Sequence, residues 1–373
     1  MPAANPLSSK SVTGYRVIEI AIFTLWLAML ALAYMVVRAL GWNKVRHYWM
    51  ALFFLTIALL GLPGAGVLKV AWPYRYAVMV RIIRAKSAPI VLNGGCTILP
   101  ENNIWNTRIF NLPVLAISPK LIETMGPDLA LHPDFGLGGG IPYNVTQGLK
   151  GTTQVTFGDG APESDPGPYA IPDDALVERA ADLHVIVIDG TTCKLYELFG
   201  AEKTGSQRWA ASSGAIYDLR SNALRPEGWT SADGAGMPIL PGLVRYEEVK
   251  AGHIRHALRF TTPRTTRAIA WPARHFASRF DDAALPAMGM RFRLRSSFDI
   301  TRFSPDTQVI LVALKEYGMM VSDNGGPWFL TGAPDSRWSS TMLRELRTVA
   351  GSDFEAVDPS SLMINRNSGE ARQ

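Results

Sequence analysis

The spacing of apolar positions changes along the chain, and the change divides it. Residues 20–37 are apolar apart from Thr24 and Tyr34, and residues 50–68 carry Thr56 as their one hydroxyl. At about 1.5 Å per residue, each run is long enough to cross a hydrocarbon core. The pattern predicts a two-helix transmembrane hairpin over residues 17–70, with spans at about 18–40 and 49–68. An N-terminal tail (1–16) precedes it and a basic connector (71–90) follows. Trp42, Trp49, Trp72 and Tyr74 fall where interfacial anchors belong. A signal peptide followed by a buried helix fits less well, because the first run is long and no small-residue cleavage site follows it.

From Val91 the pattern becomes one of short strands. Residues 184–189 (HVIVID) read as a buried strand, with 193–199 as its hairpin partner across Gly190-Thr191-Thr192. Residues 153–157, 207–211, 215–219, 255–261, 268–271 and 290–296 are further strands. In the last of these Met290, Phe292 and Leu294 alternate with Arg291, Arg293 and Arg295, as on a half-buried antiparallel strand. Residues 319–321 and 327–330 read as a hairpin joined through Asp323-Asn324-Gly325-Gly326. Helices are expected near 120–125 after Ser118-Pro119, from Ser304-Pro305 to Gly318, and over 341–349. The expected fold is therefore mainly β, an antiparallel sandwich or barrel-like sheet with a few helices, preceded by the transmembrane hairpin. It forms one domain over 91–360 with a disordered tail at 361–373.

Composition refines this picture. The chain is 47% hydrophobic and only 18% charged, and the apolar excess lies at the N-terminus. The net charge of +5 is spread without a long basic run, which excludes a nucleic-acid binder and fits membrane proximity. By count, Lys10, Arg16, Lys69, Arg75, Arg81 and Arg84 outweigh Arg38, Lys44 and Arg46, which favours a cytoplasmic domain. A long trailing domain translocates regardless of charge, however, and the expectation is an extracytoplasmic one. Two cysteines without a CxxC pair exclude a structural zinc site of the usual kind. A Cys96–Cys193 disulfide and two buried thiols remain open, and Cys193 as a nucleophile lacks an oriented base.

Special residues are densest between Gly214 and Phe260. The acids Asp134, Glu163, Asp165, Asp218, Asp233 and Asp323 all lie beside Gly/Pro-rich loops or at strand ends. Each alone reads as a turn residue capping its own backbone. Together they form a set from which paired carboxylates can converge for glycoside hydrolysis, or a calcium ion can be held by hard oxygen ligands. Asp165 and Asp233 are the candidate catalytic pair, with His256 and His275 as orienting groups. Glu163, Asp218, Trp229, Trp271 and Asp323 are candidate substrate-binding residues, since tryptophans in loops stack on sugar rings. His184 and His256 alternate with apolar neighbours, as core histidines do. No HExxH or comparable metal spacing occurs, and Gly138-Gly139-Gly140 lacks the Lys-Ser/Thr of a phosphate loop.

Several segments also resemble a largely uncharacterised group of bacterial secreted or membrane-anchored proteins: NNIWNT (102–107), LHPDFG (131–136), ESDPGPY (163–169), GWTSADGAG (228–236), HALRF (256–260) and WPARHF (271–276). The resemblance covers about residues 95–358. It implies an extracytoplasmic location and carries no activity. The functional expectation is a membrane-anchored carbohydrate-active protein, a glycan hydrolase using paired carboxylates. The alternatives are a non-catalytic glycan- or envelope-binding module and an accessory subunit of a membrane complex. The expected partners are the membrane and a polysaccharide or cell-envelope ligand.

Overall fold

The computed structural model describes residues 95–136, 138–149 and 153–373. The tail 1–16, the hairpin 17–70 and the connector 71–90 expected from the sequence lie outside these residues. Among the described residues no helix is long and apolar enough to cross a membrane, so the membrane-spanning part of the expected fold is without structural support.

The elements follow local chemistry. Helix α1 (Ser118–Met125) has Pro119 in its first turn, where no N–H is needed, and buries Leu121, Ile122 and Met125. Strands β1 (His132–Asp134), β2 (Tyr143–Thr146) and β3 (Gln154–Phe157) are short. Strand β4 (Val185–Asp189) is buried at every position, as its unbroken apolar run demands. Strands β5 (Lys194–Phe199), β6 (Glu202–Gly205), β7 (Arg208–Ala211) and β8 (Ser213–Asp218) continue the meander. After a long loop come α2 (Tyr246–Lys250), β9 (Leu258–Thr262) and β10 (Arg291–Leu294). Helix α3 (Pro305–Glu316) starts after Ser304, whose hydroxyl donates to the Glu345 carboxylate at 2.6 Å and caps no backbone N–H of the helix. Strands β11 (Met319–Asn324) and β12 (Phe329–Thr331), helix α4 (Ser340–Leu346) and strand β13 (Phe354–Val357) complete the series.

The strands form three sheets, ordered β1-β12-β9-β11-β10-β13, β2-β4-β5-β8 and β3-β7-β6. Each contains a parallel pair: β1 with β12 and β9 with β11, β2 with β4, and β3 with β7. This corrects the expected antiparallel sandwich or barrel-like sheet. Parallel neighbours need crossover connections, and the long loops between these strands supply them. The expected hairpin of 319–321 with 327–330 is also corrected. Strand β9 lies between β11 and β12, parallel to one and antiparallel to the other. Residues 268–271 make only an isolated bridge, Ile269 with Met288.

Two cores result. In the six-stranded sheet Trp328 stacks on Phe260 and Phe354, with ring centroids 5.7 and 5.3 Å apart, and meets Phe292 edge-on. The other core gathers Tyr169, Val185, Val187, Leu198 and Trp209. Strand β10 turns neither face to solvent. Arg291 is buried and donates to the Tyr317 and Ile104 carbonyls, while Arg293 pairs with Glu355 at 2.8 Å. The guanidiniums clamp the irregular 104–112 segment onto the sheet. Residues 361–373, expected to be disordered, are anchored: Glu370 bridges Asn103, and Ala371 is buried. Cys96 and Cys193 form a disulfide that ties the first described residues to the β4–β5 turn.

Candidate active site around Gly234

One face of the six-stranded sheet carries a row of polar residues. The strand registers place Asp134 beside Thr331 and Asp323 beside Thr261, with Arg259 between them on β9. Arg259 is the hub. It grips Asp233 with two bonds, Nε to Oδ2 at 2.7 Å and Nη2 to Oδ1 at 2.8 Å, and its Nη1 donates to Thr331 Oγ1 at 2.7 Å. Asp233 has no exposed side-chain surface, so this bidentate pair is sealed. Asp323 Oδ2 stands 3.9 Å from the same guanidinium and keeps 26% of its side chain exposed.

Asp323 thus shares a cation already saturated by Asp233. Burial, and next the Asp233 charge, push its carboxyl up to about 7, against the pull of Arg259. The Asn324 and Gly234 N–H groups donate to its two oxygens at 2.7 and 3.1 Å. A Cβ at 234 would stand 2.4 Å from Asp323 Oδ1, so any larger residue there displaces the acid. Burial and the neighbouring Glu178 also raise the Asp134 carboxyl.

The Gly234 peptide joins a second group. His275 Nδ1 lies 2.8 Å from the Gly234 carbonyl, which only accepts, so Nδ1 carries the hydrogen and Nε2 is left as the basic nitrogen. Nε2 faces Glu163 Oε2 at 3.9 Å, and Glu163 is itself positioned by the Thr230 N–H at 2.8 Å. The His275 side chain is 26% exposed. A partly exposed acid and a partly exposed, oriented imidazole therefore flank one residue, Gly234, on its N–H and its carbonyl.

The loop bearing that peptide is fixed from beneath. Ser231 Oγ donates to the Met237 carbonyl at 2.7 Å and accepts from the Asp233 N–H at 2.9 Å. His184 lies with Nδ1 2.5 Å from Glu178 Oε2 and Nε2 3.0 Å from the Ala232 carbonyl. Both neighbours accept, so both ring nitrogens donate and the ring is an imidazolium. Burial is the strongest single influence and opposes that charge, but the Glu178 hydrogen bond and charge together raise the pKa. Glu197 of β5 accepts from the Ile239 and Leu240 N–H groups at 2.9 Å each and fixes the loop's far end.

The residues singled out in the sequence separate accordingly. Glu163, Asp233, His275 and Asp323 meet at this loop. Asp165 does not pair with Asp233; it is ion-paired to Arg225 and accepts from the Ile216 N–H at 2.8 Å. Neither can be a catalytic pair partner of the other, because Asp233 is sealed under Arg259. His256 is enclosed with Arg245 and Glu248, at 2.7 and 3.1 Å, and reaches no cleft. Asp218 ends β8 in surface ion pairs with Lys194 and Arg220. Trp271 Nε1 donates to the Ser368 carbonyl and holds the C-terminal residues, while Arg225 lies over the Trp229 ring at 5.5 Å. Trp105, Trp328 and Trp338 are core residues. The sequence reading missed Arg259; its signal is a single cation between Leu258 and Phe260 in a strand buried throughout. Among the described residues no group of three or more His, Cys, Asp or Glu side chains is placed to hold a metal ion. Comparison of the chain with protein-family models, curated proteins and solved structures found no match.

Proposed function

We propose that the domain is a glycan hydrolase working outside the cytoplasm, with Asp323 as general acid and His275 as general base. The observation that carries this reading is Asp323, a carboxyl that burial and the Asp233 charge push up to about 7 while 26% of its side chain stays exposed. An acid with that pKa keeps its proton near neutrality and can give it to a leaving oxygen. Asp323 protonates the glycosidic oxygen as the bond to the anomeric carbon breaks. A water molecule supplies hydroxide to that carbon and its proton to His275 Nε2. The Glu163 carboxylate faces the imidazolium so formed, and solvent returns the proton to Asp323. Asp233 and Arg259 are positioning residues: Arg259 holds Asp233, and the Asp233 charge adds to burial in keeping Asp323 protonated. The Cys96–Cys193 disulfide supports the location, since such bonds persist in oxidising compartments.

The test is release of reducing ends by the full chain from a panel of neutral and acidic polysaccharides. Asp323→Asn is expected to lower kcat by about 10²–10⁴-fold, the usual worth of a general acid, while leaving polysaccharide affinity unchanged. Turnover at the wild-type rate in Asp323→Asn would remove Asp323 from the mechanism. Binding without reducing ends in the wild type would replace hydrolysis with a non-catalytic glycan-binding role.

A further inference from the structure

Beside Asp323 lies a hollow of about 350 Å³ lined by Arg264, Arg279, Phe280, Ser278 and Asn324. Two loops build it. The Arg267 N–H donates to the Phe280 carbonyl at 2.8 Å, and Ser278 Oγ donates to the Thr265 carbonyl at 2.5 Å. Asn324, the residue after the acid, ties the hollow to the site: Thr265 Oγ1 donates to its Oδ1 at 2.9 Å, and its Nδ2 donates to the Ala277 carbonyl.

The arginines here are unlike the buried ones of the domain. Arg225, Arg259, Arg274, Arg291 and Arg293 direct their N–H groups at carboxylates or backbone carbonyls. Arg264, Arg267 and Arg279 are exposed and form no ion pair among the described residues. They are held instead by aromatic faces. Arg264 and Arg279 lie 4.4 and 5.3 Å from the Phe280 ring centroid, and Arg267 lies 5.7 Å from that of Phe276. Stacking fixes the plane of a guanidinium and leaves its N–H edge free, the geometry that receives a carboxylate with two bonds. Phe276 stacks in turn on His275, with planes 7° apart, so the positive strip runs up to the base.

We propose that Arg264 and Arg279 form a subsite for the carboxylate of an acidic sugar, and that the substrate is a polyuronate-type glycan. This rests on the reading of Asp323 as the acid that cleaves a glycan. The subsite sets which sugar is presented next to the scissile bond.

The experiment measures binding of the full chain, carrying Asp323→Asn so that no turnover intervenes, to polygalacturonate and to the same polymer with its carboxylates reduced to alcohols. The expected result is binding to the acidic polymer alone, weakened by salt. The loss is about tenfold for each of Arg264→Ala and Arg279→Ala, the worth of one charge-assisted hydrogen-bonded contact. Equal binding of the reduced polymer, or unchanged affinity in the double variant, would overturn the subsite. So would arginine-dependent binding to vesicles of anionic lipid in place of the polymer. Arginine-dependent binding by a wild type that releases no reducing ends would keep the subsite and reject hydrolysis. Hydrolysis of neutral glycans at rates indifferent to both arginines would do the reverse.

Discussion

Two buried ionic clusters, one beneath α2 and one beneath the Gly234 loop, use the same residue types to opposite effect. In the first, Arg245 bonds Glu248 at 2.8 Å and His256 lies against both, with all three side chains at most 8% exposed. Burial opposes the Glu248 charge, but Arg245 and His256 outweigh it and hold the carboxyl down at about 2. In the second, one guanidinium faces two carboxylates, Asp233 at 2.7 Å and Asp323 at 3.9 Å. The nearer acid takes the charge, and the farther one keeps a proton and an opening to solvent. A cluster with one carboxylate per cation is a rivet, whereas one with a surplus carboxylate is a store of exchangeable protons.

The sharpest way to break this contrast is to remove the shared cation. Arg259→Met leaves Asp233 buried and unpaired and should cost about 3–5 kcal/mol of unfolding free energy. Adding Asp233→Leu should recover much of that loss, measured by urea denaturation, because the orphaned charge is gone. If Arg259→Met alone were as stable as the wild type, Arg259 would not be the hub. Glu248→Gln tests the other cluster. It should cost about 1–3 kcal/mol by leaving Arg245 short of an acceptor, and kcat should not change. A fall in kcat at constant affinity would show the clusters to be coupled.

The smallest effect is the most specific. Asp323 has its pKa raised from the ordinary aspartate value to about 7. The folded state therefore holds a proton that the unfolded state has lost, and this contribution is complete below about pH 4 and disappears as pH rises through 7. Glu248 runs the other way: its pKa is lowered to about 2, so its contribution is present above about 4.5 and lost as pH falls through 2. Melting temperatures of Asp323→Asn and the wild type should separate between about pH 4 and 7, with the wild type showing the steeper decline. Overlapping profiles would place the Asp323 proton elsewhere.

Strands with an unambiguous period were legible in advance. The run 184–189 contains β4, 193–199 contains β5, and the Ser304-Pro305 start marks α3. Strand order was not, because alternation reports which face is buried and says nothing about the neighbour. Asp323-Asn324-Gly325-Gly326 thus signals a hairpin of 319–321 with 327–330, whereas β9 lies between β11 and β12. Arg291 and Arg293 illustrate another limit: their alternation is that of a solvent-facing side, while the acceptors that bury them belong to residues 104–112. Within the site, Asp323, Asp233, His275 and Glu163 were recognisable as loop residues with chemical potential. Their roles depend on Arg259, which seals Asp233 beneath it and so leaves that charge beside Asp323.

The insertion of β9 between β11 and β12 has a kinetic consequence. Arg259 and Asp323 stand on adjacent strands, yet the chain from 263 to 318 separates them, so their pairing closes a long loop. Strand β12 emerges close behind β11 yet pairs with β1 and β9 instead, both earlier in the chain. Helix α3 can form early from local contacts, whereas the acid and its governing cation meet only when the non-local pairing completes. A chain lacking the β9–β11 ladder would have neither the continuous six-stranded sheet nor a proton-retaining Asp323.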